Sequence, residues 1–303
     1  MNISTMKEKS IKFKSKLRLD HELFNQLRDN PPAWWKIVKA HPDLYIEIRK
    51  DNYINIYYKG GSIAKVEYDD DTDKIVATAH YKYLGCDDNG VHKSPYRNCE
   101  EWLEHRLDEL LANVDEHYGS KEKQEQARMI LQNRTLYLDS EFQHLYGRTI
   151  KEDLSSTTKT KVCNIFMRID LVEVRNNVVR FVELKMINDG RLLKKDDNSA
   201  PEIYEQMQKY RNFAERYSTQ LREYYKTLYN VKVKLDLPVP EVDVEKLQIN
   251  TKPILVIACD YEKTTKGRTE RIKRINRKMM QKSEVFDYEK LDEENSADNC
   301  SQR

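Results

Sequence analysis

Three charged residues interrupt two apolar stretches near the middle of the chain. They are Asp170, Glu183 and Lys185, within the segment RIDLVEVRNNVVRFVELKM at 168–186. Charged groups are costly in half-buried strands unless something compensates them. Hard divalent cations are bound by clustered carboxylate oxygens, so the pattern indicates a metal ion as one such compensating group.

The two apolar stretches are predicted to form a β-hairpin. Its turn is expected at 175–178 (RNNV), because Asn tolerates the positive φ of a two-residue hairpin loop. The resulting register places Glu173 opposite Arg180, a favourable charge pair, and Asp170 opposite Glu183. A slip of one residue would move all of these side chains to the other face of the hairpin.

Side chains alternate between the two faces of a hairpin. The predicted core face carries Ile169, Leu171, Val182 and Leu184. The other face carries Arg168, Asp170, Glu183 and Lys185, with Val172 and Phe181 beyond them. One interpretation of this charged face is a metal site. The alternative is a solvated outer face, where Asp170 pairs with Lys185 and such exposed ion pairs contribute little.

Two motifs resemble those of a known family. Asp170, followed after twelve residues by Glu183-Leu184-Lys185, resembles the core motif of the PD-(D/E)xK nuclease superfamily. The segment QMQKY resembles the QxxxY motif of its RecB-like branch, and the i, i+4 spacing puts Gln206 and Tyr210 on one helix face. Ordinary helix packing by Tyr210 is the alternative for this segment. The resemblance covers about residues 135–260.

The resemblance implies a fold and a set of site residues. The fold would be of the α/β (α+β) class, with a restriction-endonuclease-like core of a mixed central sheet flanked by helices in the order αβββαβ. The implied catalytic residues are Asp170, Glu183, Lys185, Gln206 and Tyr210. The implied ligands of Mg²⁺ or Mn²⁺ are Glu141, Asp170 and Glu183.

Glu141 is predicted in the first turn of a short helix, in the segment LDSEFQHLYG. Asp139 or Ser140 would cap this helix. The superfamily often takes a further acid from the helix before the hairpin, although a first-turn Glu is also common for its interaction with the helix dipole. Only two strands of the hairpin region are evident, since 161–167 reads as an extension of the first.

Basic residues are concentrated near the end of the chain. Between Lys263 and Lys282 there are nine Lys or Arg residues against one Glu, although the net charge of the chain is only +2. Such a patch suits a polyanion, because phosphate contacts supply affinity without sequence information. A solvated charged helix is the alternative. The predicted nucleic-acid-binding residues are Arg168, Lys266, Arg268, Arg271, Lys273, Arg274, Arg277 and Lys278.

The chain divides into four predicted segments. These are a mobile basic arm at 1–20, an antiparallel β-rich domain at 21–98, the nuclease domain with a helical lead-in at 99–283, and an acidic disordered tail at 284–303. The β-rich domain is expected to be a meander with turns at 51–52, 60–61 and 69–72.

Composition limits the class of protein. The chain has 303 residues, of which 39% are hydrophobic and 34% charged, as expected of a soluble globular protein. It has no apolar run long enough for a membrane span and no signal-peptide core at its N-terminus. Its five scattered cysteines are expected to be free thiols, which predicts a cytoplasmic location.

The leading hypothesis is therefore a metal-dependent nuclease acting on DNA. Two alternatives are a catalytically inactive nucleic-acid-binding module of the same fold and an interaction protein that uses the tyrosine-rich N-terminal sheet. The sequence does not separate DNA from RNA, or endonuclease from exonuclease activity. It leaves the oligomeric state open, with a homodimer among the options.

Overall fold

The computed structural model describes residues 12–85, 94–152, 160–194, 199–261, 263 and 265–292. It has two β-sheets flanked by helices, which confirms the mixed class of helices and strands. The helices are α1 (Glu22–Asp29), α2 (Ala33–Ala40), α3 (Glu100–His105), α4 (Leu107–His117), α5 (Lys121–Gln132), α6 (Ile203–Lys234) and α7 (Lys266–Met280). The strands are β1 (Leu44–Arg49), β2 (Tyr53–Tyr58), β3 (Gly61–Asp69), β4 (Lys74–His80), β5 (Tyr96–Asn98), β6 (Tyr137–Glu152), β7 (Thr160–Arg175), β8 (Val178–Met186), β9 (Gln248–Ile249), β10 (Ile254–Ala258) and β11 (Asp287–Tyr288). None of the helices in the described residues is long and apolar enough to cross a membrane.

The first sheet is the predicted antiparallel meander, with β1 to β5 paired in chain order. Asn52 and Gly60 have positive φ values of 60° and 83° at two of the predicted turns, where these residue types are best tolerated. Tyr45, Tyr57 and Tyr58 of this sheet are buried. These three tyrosines therefore contribute to packing and are not available as an exposed recognition surface.

The second sheet has the order β6-β7-β8-β10-β11, with β9 paired to β8. Its strands β6, β7 and β8 are antiparallel, whereas β10 runs parallel to β8 and β11 parallel to β10. The sheet is therefore mixed. The segment 161–167 does extend β7, and the third strand lies upstream as β6.

The predicted short helix around Glu141 is wrong, because the chain from Tyr137 to Glu152 is a strand. Asp139 and Ser140 resembled a helix cap, but their side chains contact Arg49 and Glu47 in the first sheet. These long-range contacts favour the extended chain over a local capped turn.

The hairpin between β7 and β8 has the predicted turn. Asn176 and Asn177 have φ values of 52° and 63°, and Glu173 pairs with Arg180 as expected. This ladder ends at the pair Leu171–Val182. The predicted partnership of Asp170 with Glu183 is therefore not part of the ladder, and β8 pairs with β10 beyond this point.

Both faces of the hairpin are covered. Leu171 and Val182 belong to a hydrophobic cluster that includes Ala127 and Ile130 of α5. On the other face, Phe181 lies 6.4 Å from Phe213 and 6.2 Å from Tyr225 of α6, measured between ring centroids. The prediction of a single core face is wrong because two helices pack on the hairpin from opposite sides. The predicted helical lead-in is present as α3 and α4, which are separated by Arg106.

The predicted terminal segments are packed wherever they are described. Phe13 and Leu17 are buried in the main hydrophobic cluster, and the N–H of Lys16 donates to the carbonyl of Lys50 at 2.8 Å. Near the other end, Phe286 is fully buried and is followed by strand β11. The mobile arm and the disordered tail are therefore wrong for 12–20 and 284–292. Residues 1–11 and 293–303 lie outside the described residues.

A buried set of charged and polar side chains joins the two sheets; we call Glu47, Arg49, Asp139, Ser140 and Lys232 the junction cluster. Glu47 accepts from the hydroxyl of Ser140 at 2.8 Å and from the ammonium of Lys232 at 2.9 Å. Arg49 donates to the Asp139 carboxylate at 3.2 Å and to the carbonyl of Ser140 at 2.5 Å. Strand β1, strand β6 and helix α6 are therefore tied together by ionic contacts as well as by apolar packing.

Candidate functional site

Asp170, Glu183 and Lys185 lie together where β7 and β8 separate. Only 8% of the surface of Asp170 and 1% of the surface of each of the other two is exposed. The alternative of a solvated outer face is therefore wrong. Buried charges of this kind are retained only with close partners, which the surrounding elements provide.

Lys185 is the most enclosed ammonium group of the site. Its Nζ contacts the Glu183 carboxylate and donates to the carbonyl of Leu184 at 2.7 Å. It also lies 3.9 Å from Asp170 and 3.7 Å from Glu122. Asp170 is itself held by the N–H of Leu184, which donates to its Oδ2 at 3.0 Å. The two strands are thus linked through side chains where their ladder has ended.

Tyr210 of α6 reaches the same place. Its hydroxyl contacts the Glu183 carboxylate and the carbonyl of Arg168, and it accepts from the amide of Gln206 at 3.2 Å. A hydroxyl carries one proton, so it can donate to only one of the two oxygens at a time. The i, i+4 pair predicted from the QxxxY segment therefore does share one face, and that face points to Glu183.

Burial dominates the electrostatics of these two groups. Burial and the nearby charge of Asp170 raise the pKa of Glu183 to about 7, despite the opposing contact with Lys185. Burial and the charge of Glu183 raise the pKa of Tyr210 well above its usual value. Tyr210 is therefore a protonated donor at neutral pH, while Glu183 gains and loses a proton in this range.

Glu141 lies beside Asp170, although it comes from a strand and not from a helix. Its neighbours Ser140 and Phe142 pair with Leu171 and Ile169, so Glu141 stands opposite Asp170 in the sheet. The φ of Glu141 is 53°, an uncommon value for a residue with a side chain. The predicted proximity of Glu141 to the hairpin acids is thus present, with a different local structure.

Helix α5 contributes two site residues that the sequence analysis did not single out. Glu122 faces Lys185, and burial raises the pKa of its carboxyl group. Lys123 contacts the Glu141 carboxylate and lies 3.4 Å from Asp170. The signal for both was the Lys-Glu-Lys segment after the Ser120 cap, in the helix that directly precedes the three strands. Helix α5 therefore brings an acid, Glu122, to the site, whereas Glu141 comes from strand β6.

We call Glu122, Lys123, Glu141, Asp170, Glu183 and Lys185 the site cluster. Exposure decreases inward through this cluster, from 26% for the Glu122 side chain and 24% for Lys123 to 2% for Glu183 and Lys185. The cluster is therefore open at α5 and closed at β8.

The donor chemistry of the cluster fits a divalent cation such as Mg²⁺ or Mn²⁺, because its four acidic side chains supply the oxygen ligands that these ions prefer. The lysines, however, lie between the acids. Among the residues that the structure describes, no three or more His, Cys, Asp or Glu side chains are arranged to hold a metal ion. Glu141 and Asp170 would have to part from Lys123 before both could share a cation.

A further charged pair lies next to the cluster. Arg191 donates to Asp189 through its Nε at 3.0 Å, and this contact raises the pKa of the guanidinium group. The charges of Glu183 and Glu122 act in the same direction. The contact itself is local, between residues two positions apart, but its place beside the cluster depends on the path of the chain after β8.

The predicted nucleic-acid-binding residues fall into three groups. Arg271 donates to the carbonyls of Ile187 at 2.9 Å and Asp189 at 3.2 Å, and Arg268 donates to the carbonyl of Lys263 at 2.5 Å. Arg271 therefore fixes α7 to the segment after β8, whereas Arg268 bonds to the chain just before α7. Arg274 and Lys278 are half-buried. The side chains of Arg168, Lys266, Lys273 and Arg277 are exposed.

Comparison with known proteins adds no relative. No protein-family model, curated protein or solved structure matches the chain.

Proposed function

We propose that the protein is a metal-dependent nuclease that hydrolyses phosphodiester bonds in DNA. The observation that carries this proposal is the charge of the site cluster. Four carboxylates face two ammonium groups in a largely buried place. When all four are ionised, two negative charges are left uncompensated, and one divalent cation would balance them.

The order of elements supports the same function. Helix α5, strands β6, β7 and β8, helix α6 and strand β10 follow the αβββαβ order that the PD-(D/E)xK resemblance implies. Strand β10 lies beside β8 and runs parallel to it. We therefore interpret residues 121–258 as a restriction-endonuclease-like core.

The residues of the cluster have distinct proposed roles. Asp170, Glu183 and Glu141 would hold Mg²⁺ or Mn²⁺. When bound, such an ion polarises a phosphodiester oxygen and lowers the pKa of a coordinated water. Lys185 would orient the attacking water or offset the charge that develops on the phosphorus centre. Such electrostatic stabilisation is usually a large catalytic contribution.

Tyr210 and Gln206 would act on Glu183. The hydroxyl of Tyr210 remains protonated because its pKa is raised, so it can hold one carboxylate oxygen of Glu183 in place. Gln206 in turn fixes the orientation of this hydroxyl. The pair would thus fix the orientation of Glu183, whose other carboxylate oxygen contacts Lys185.

Helix α7 would bind the DNA backbone. The exposed side chains of Lys266, Lys273 and Arg277 supply the positive charge. Arg271 ties this helix to the carbonyl of Ile187, two residues beyond Lys185. Helix α7 is therefore attached to a segment that begins two residues after Lys185 of the site cluster. A phosphate-binding element would need such a position near the site.

The test is a calorimetric titration of Mn²⁺ into the wild type, Asp170→Asn and Glu173→Gln, followed by incubation with linear and covalently closed circular DNA. Glu173→Gln is the matched control, because it removes one carboxylate from the same strand outside the cluster. We expect binding and cleavage in the wild type and the control, and loss of both in Asp170→Asn. Cleavage of the closed circle would establish endonuclease activity. Equal cleavage by all three proteins would contradict the proposal.

A nucleic-acid-binding module of the same fold is the second candidate. The observation in its favour is that Lys123 already contacts two of the three proposed ligands. In that case the wild type would bind DNA with a salt-dependent affinity, give no heat with Mn²⁺ and cleave neither substrate.

A further inference from the structure

Lys123 occupies a position between two acids that the proposed function assigns to a metal. Its ammonium group contacts the Glu141 carboxylate, lies 3.4 Å from Oδ1 of Asp170 and donates to Gln126 at 3.0 Å. Lys185, in contrast, contacts Glu183 and lies 3.7 Å from Glu122 and 3.9 Å from Asp170. The two lysines therefore share Asp170, whereas Lys123 alone compensates Glu141 and Lys185 alone compensates Glu183 and Glu122.

The backbone of Lys123 is held firmly. A Cβ atom on Gly60, in the turn between β2 and β3, would lie 2.2 Å from the carbonyl oxygen of Lys123, so only glycine fits there. The hydroxyl of Tyr118 donates to the carbonyl of Gly60 at 3.0 Å and fixes the same turn. The N–H of Lys123 donates to the capping Ser120 side chain. Motion of Lys123 is therefore confined to its flexible four-carbon side chain.

The Lys123 side chain remains charged and can reach solvent. Burial acts against the charge, but Glu141 and Asp170 more than offset it and raise the pKa of Lys123. The side chain is 24% exposed, whereas that of Lys185 is 2% exposed. Lys123 can thus leave the acids for solvent without unfolding anything, and Lys185 cannot.

We propose that Lys123 is an internal counter-cation of the metal site, which a divalent ion must displace in order to bind Glu141 and Asp170. This inference rests on the proposed metal dependence and adds a mechanism of control to it. With the metal absent, Lys123 neutralises Glu141 and part of the charge of Asp170. With the metal bound, its ammonium group moves to the entrance, where an incoming phosphate would meet it.

The inference predicts opposite effects on stability and on metal affinity. Lys123→Met removes the ammonium partner of Glu141 and the nearer of the two beside Asp170, so the metal-free variant should unfold at a lower temperature than the wild type. The same variant no longer has a competing charge, so its Mn²⁺ dissociation constant should fall about tenfold or more. A purely structural lysine would lower the stability without this gain in affinity.

The experiment is calorimetric Mn²⁺ titration together with thermal unfolding of full-length wild type, Lys123→Met, Lys123→Gln and Lys121→Met. Lys121→Met is the matched control, because Lys121 lies on the same helix turn, is 77% exposed and pairs with Asp260. Lys123→Gln keeps a hydrogen-bond donor and provides a folded neutral variant if Lys123→Met does not fold. We expect affinity to rise from wild type to Lys123→Gln to Lys123→Met, with the control unchanged.

The outcomes separate this inference from the proposed function. If Mn²⁺ binds the wild type, and the two Lys123 variants bind it equally or more weakly, Lys123 organises the acids and our inference is wrong. If Mn²⁺ binds none of the four proteins, the proposed metal dependence itself fails and the inference fails with it. A rise in affinity for the control as large as that for Lys123→Met would also overturn it, since any nearby positive charge would then suffice.

Discussion

The two buried clusters of charge meet on one strand. Asp139 and Ser140 of β6 belong to the junction cluster, and Glu141, the next residue, belongs to the site cluster. Both clusters combine carboxylates with Arg or Lys, and both join β6 to a helix. They differ in how their charges are balanced and in how far they are open to solvent.

The junction cluster is balanced and closed. Glu47 and Asp139 face Arg49 and Lys232, and no side chain of these four is more than 9% exposed. The site cluster has two acids in excess, and its outer side chains are up to 26% exposed. A balanced, closed cluster can only hold elements together, whereas an unbalanced, open one can take up a cation.

A raised carboxyl pKa does not separate the two clusters. Burial and the charge of Glu47 raise the pKa of Asp139 to about 7, as burial and Asp170 do for Glu183. Burial alone is enough to disfavour a charge in either place. The charge count and the access to solvent are therefore the better guides to which cluster carries chemistry.

The largest effect is expected from breaking the junction cluster. Lys232→Met leaves the carboxylate of Glu47 buried without its ammonium partner, which should lower the free energy of unfolding by about 3 to 5 kcal/mol. The double variant Glu47→Leu/Lys232→Met removes both charges and should recover much of this loss. Urea denaturation measures all of these values.

Lys226→Met is the control for that measurement, because it removes a partly exposed lysine from α6, the helix that also carries Lys232. Lys226 pairs with Glu245, an exposed residue beyond this helix. The Lys226→Met substitution should cost less than about 1 kcal/mol. If Lys232→Met and Lys226→Met lower the free energy of unfolding by similar amounts, the junction cluster does not stabilise the contact between the two sheets and α6.

The next effect concerns catalysis in the site cluster. Lys185→Met should reduce the single-turnover rate of DNA cleavage by about 100-fold or more, since it removes a preorganised charge next to the reacting phosphate. Lys65→Met, which removes a partly exposed lysine from the first sheet, should leave this rate unchanged. Retention of the wild-type rate in Lys185→Met would exclude Lys185 from catalysis.

A smaller effect is expected in the pH dependence of stability. Because the pKa of Glu183 is raised from 4.5 to about 7, folded protein keeps a proton that the unfolded chain has released. Metal-free wild type should therefore lose stability as the pH rises from about 4.5 to about 7. Glu183→Gln removes this loss and should be more stable than the wild type at pH 8, by on the order of 2 kcal/mol.

Thermal unfolding at pH 4 and pH 8, with and without Mn²⁺, tests this prediction. The advantage of Glu183→Gln should vanish at pH 4 and be reversed at pH 8 by Mn²⁺, which stabilises only a protein that binds it. If Glu183→Gln is less stable than the wild type at pH 8 without metal, the Glu183 carboxylate stabilises the fold through its contact with Lys185. The site cluster would then have the same structural role as the junction cluster.

The smallest effect is expected from charges outside both clusters. Lys273→Ala and Arg277→Ala should each weaken DNA binding a few-fold and lower the salt dependence of the logarithm of the affinity by about one unit. Arg271→Ala should instead lower the melting temperature, because Arg271 is bound to backbone carbonyls. Fluorescence anisotropy at several salt concentrations measures the first effect. An unchanged salt dependence in the two surface variants would remove α7 from the proposed DNA contact.

The sequence predicted the parts of the protein that depend on local spacing. The Asn176-Asn177 turn fixed the register of the hairpin as far as Leu171–Val182, because its backbone conformation admits few residue types. The i, i+4 spacing placed Gln206 and Tyr210 on one face of α6, where they do meet. The meander of the first sheet followed from its alternating strands and turn residues in the same way.

The predictions that were wrong inferred the structure of a segment from its own residues alone. The capping residues at 139–140 suggested a helix, but their partners Glu47 and Arg49 lie on a different sheet. Phe13 and Phe286 lie in strongly charged segments that read as mobile, yet both are buried. A single apolar side chain in a charged segment does not indicate, from its neighbours in the sequence, which surface it will pack against.

By itself, the sequence determined which residues carry charge in the hairpin and how they are spaced, because strand pairing and turn geometry act over a few residues. Only the tertiary structure decided that Lys123 meets Glu141 and Asp170, and that four acids surround two lysines. The reason is that helix α5 and strand β6 are brought to the hairpin by long-range packing, including the close approach of Gly60 to the backbone of Lys123.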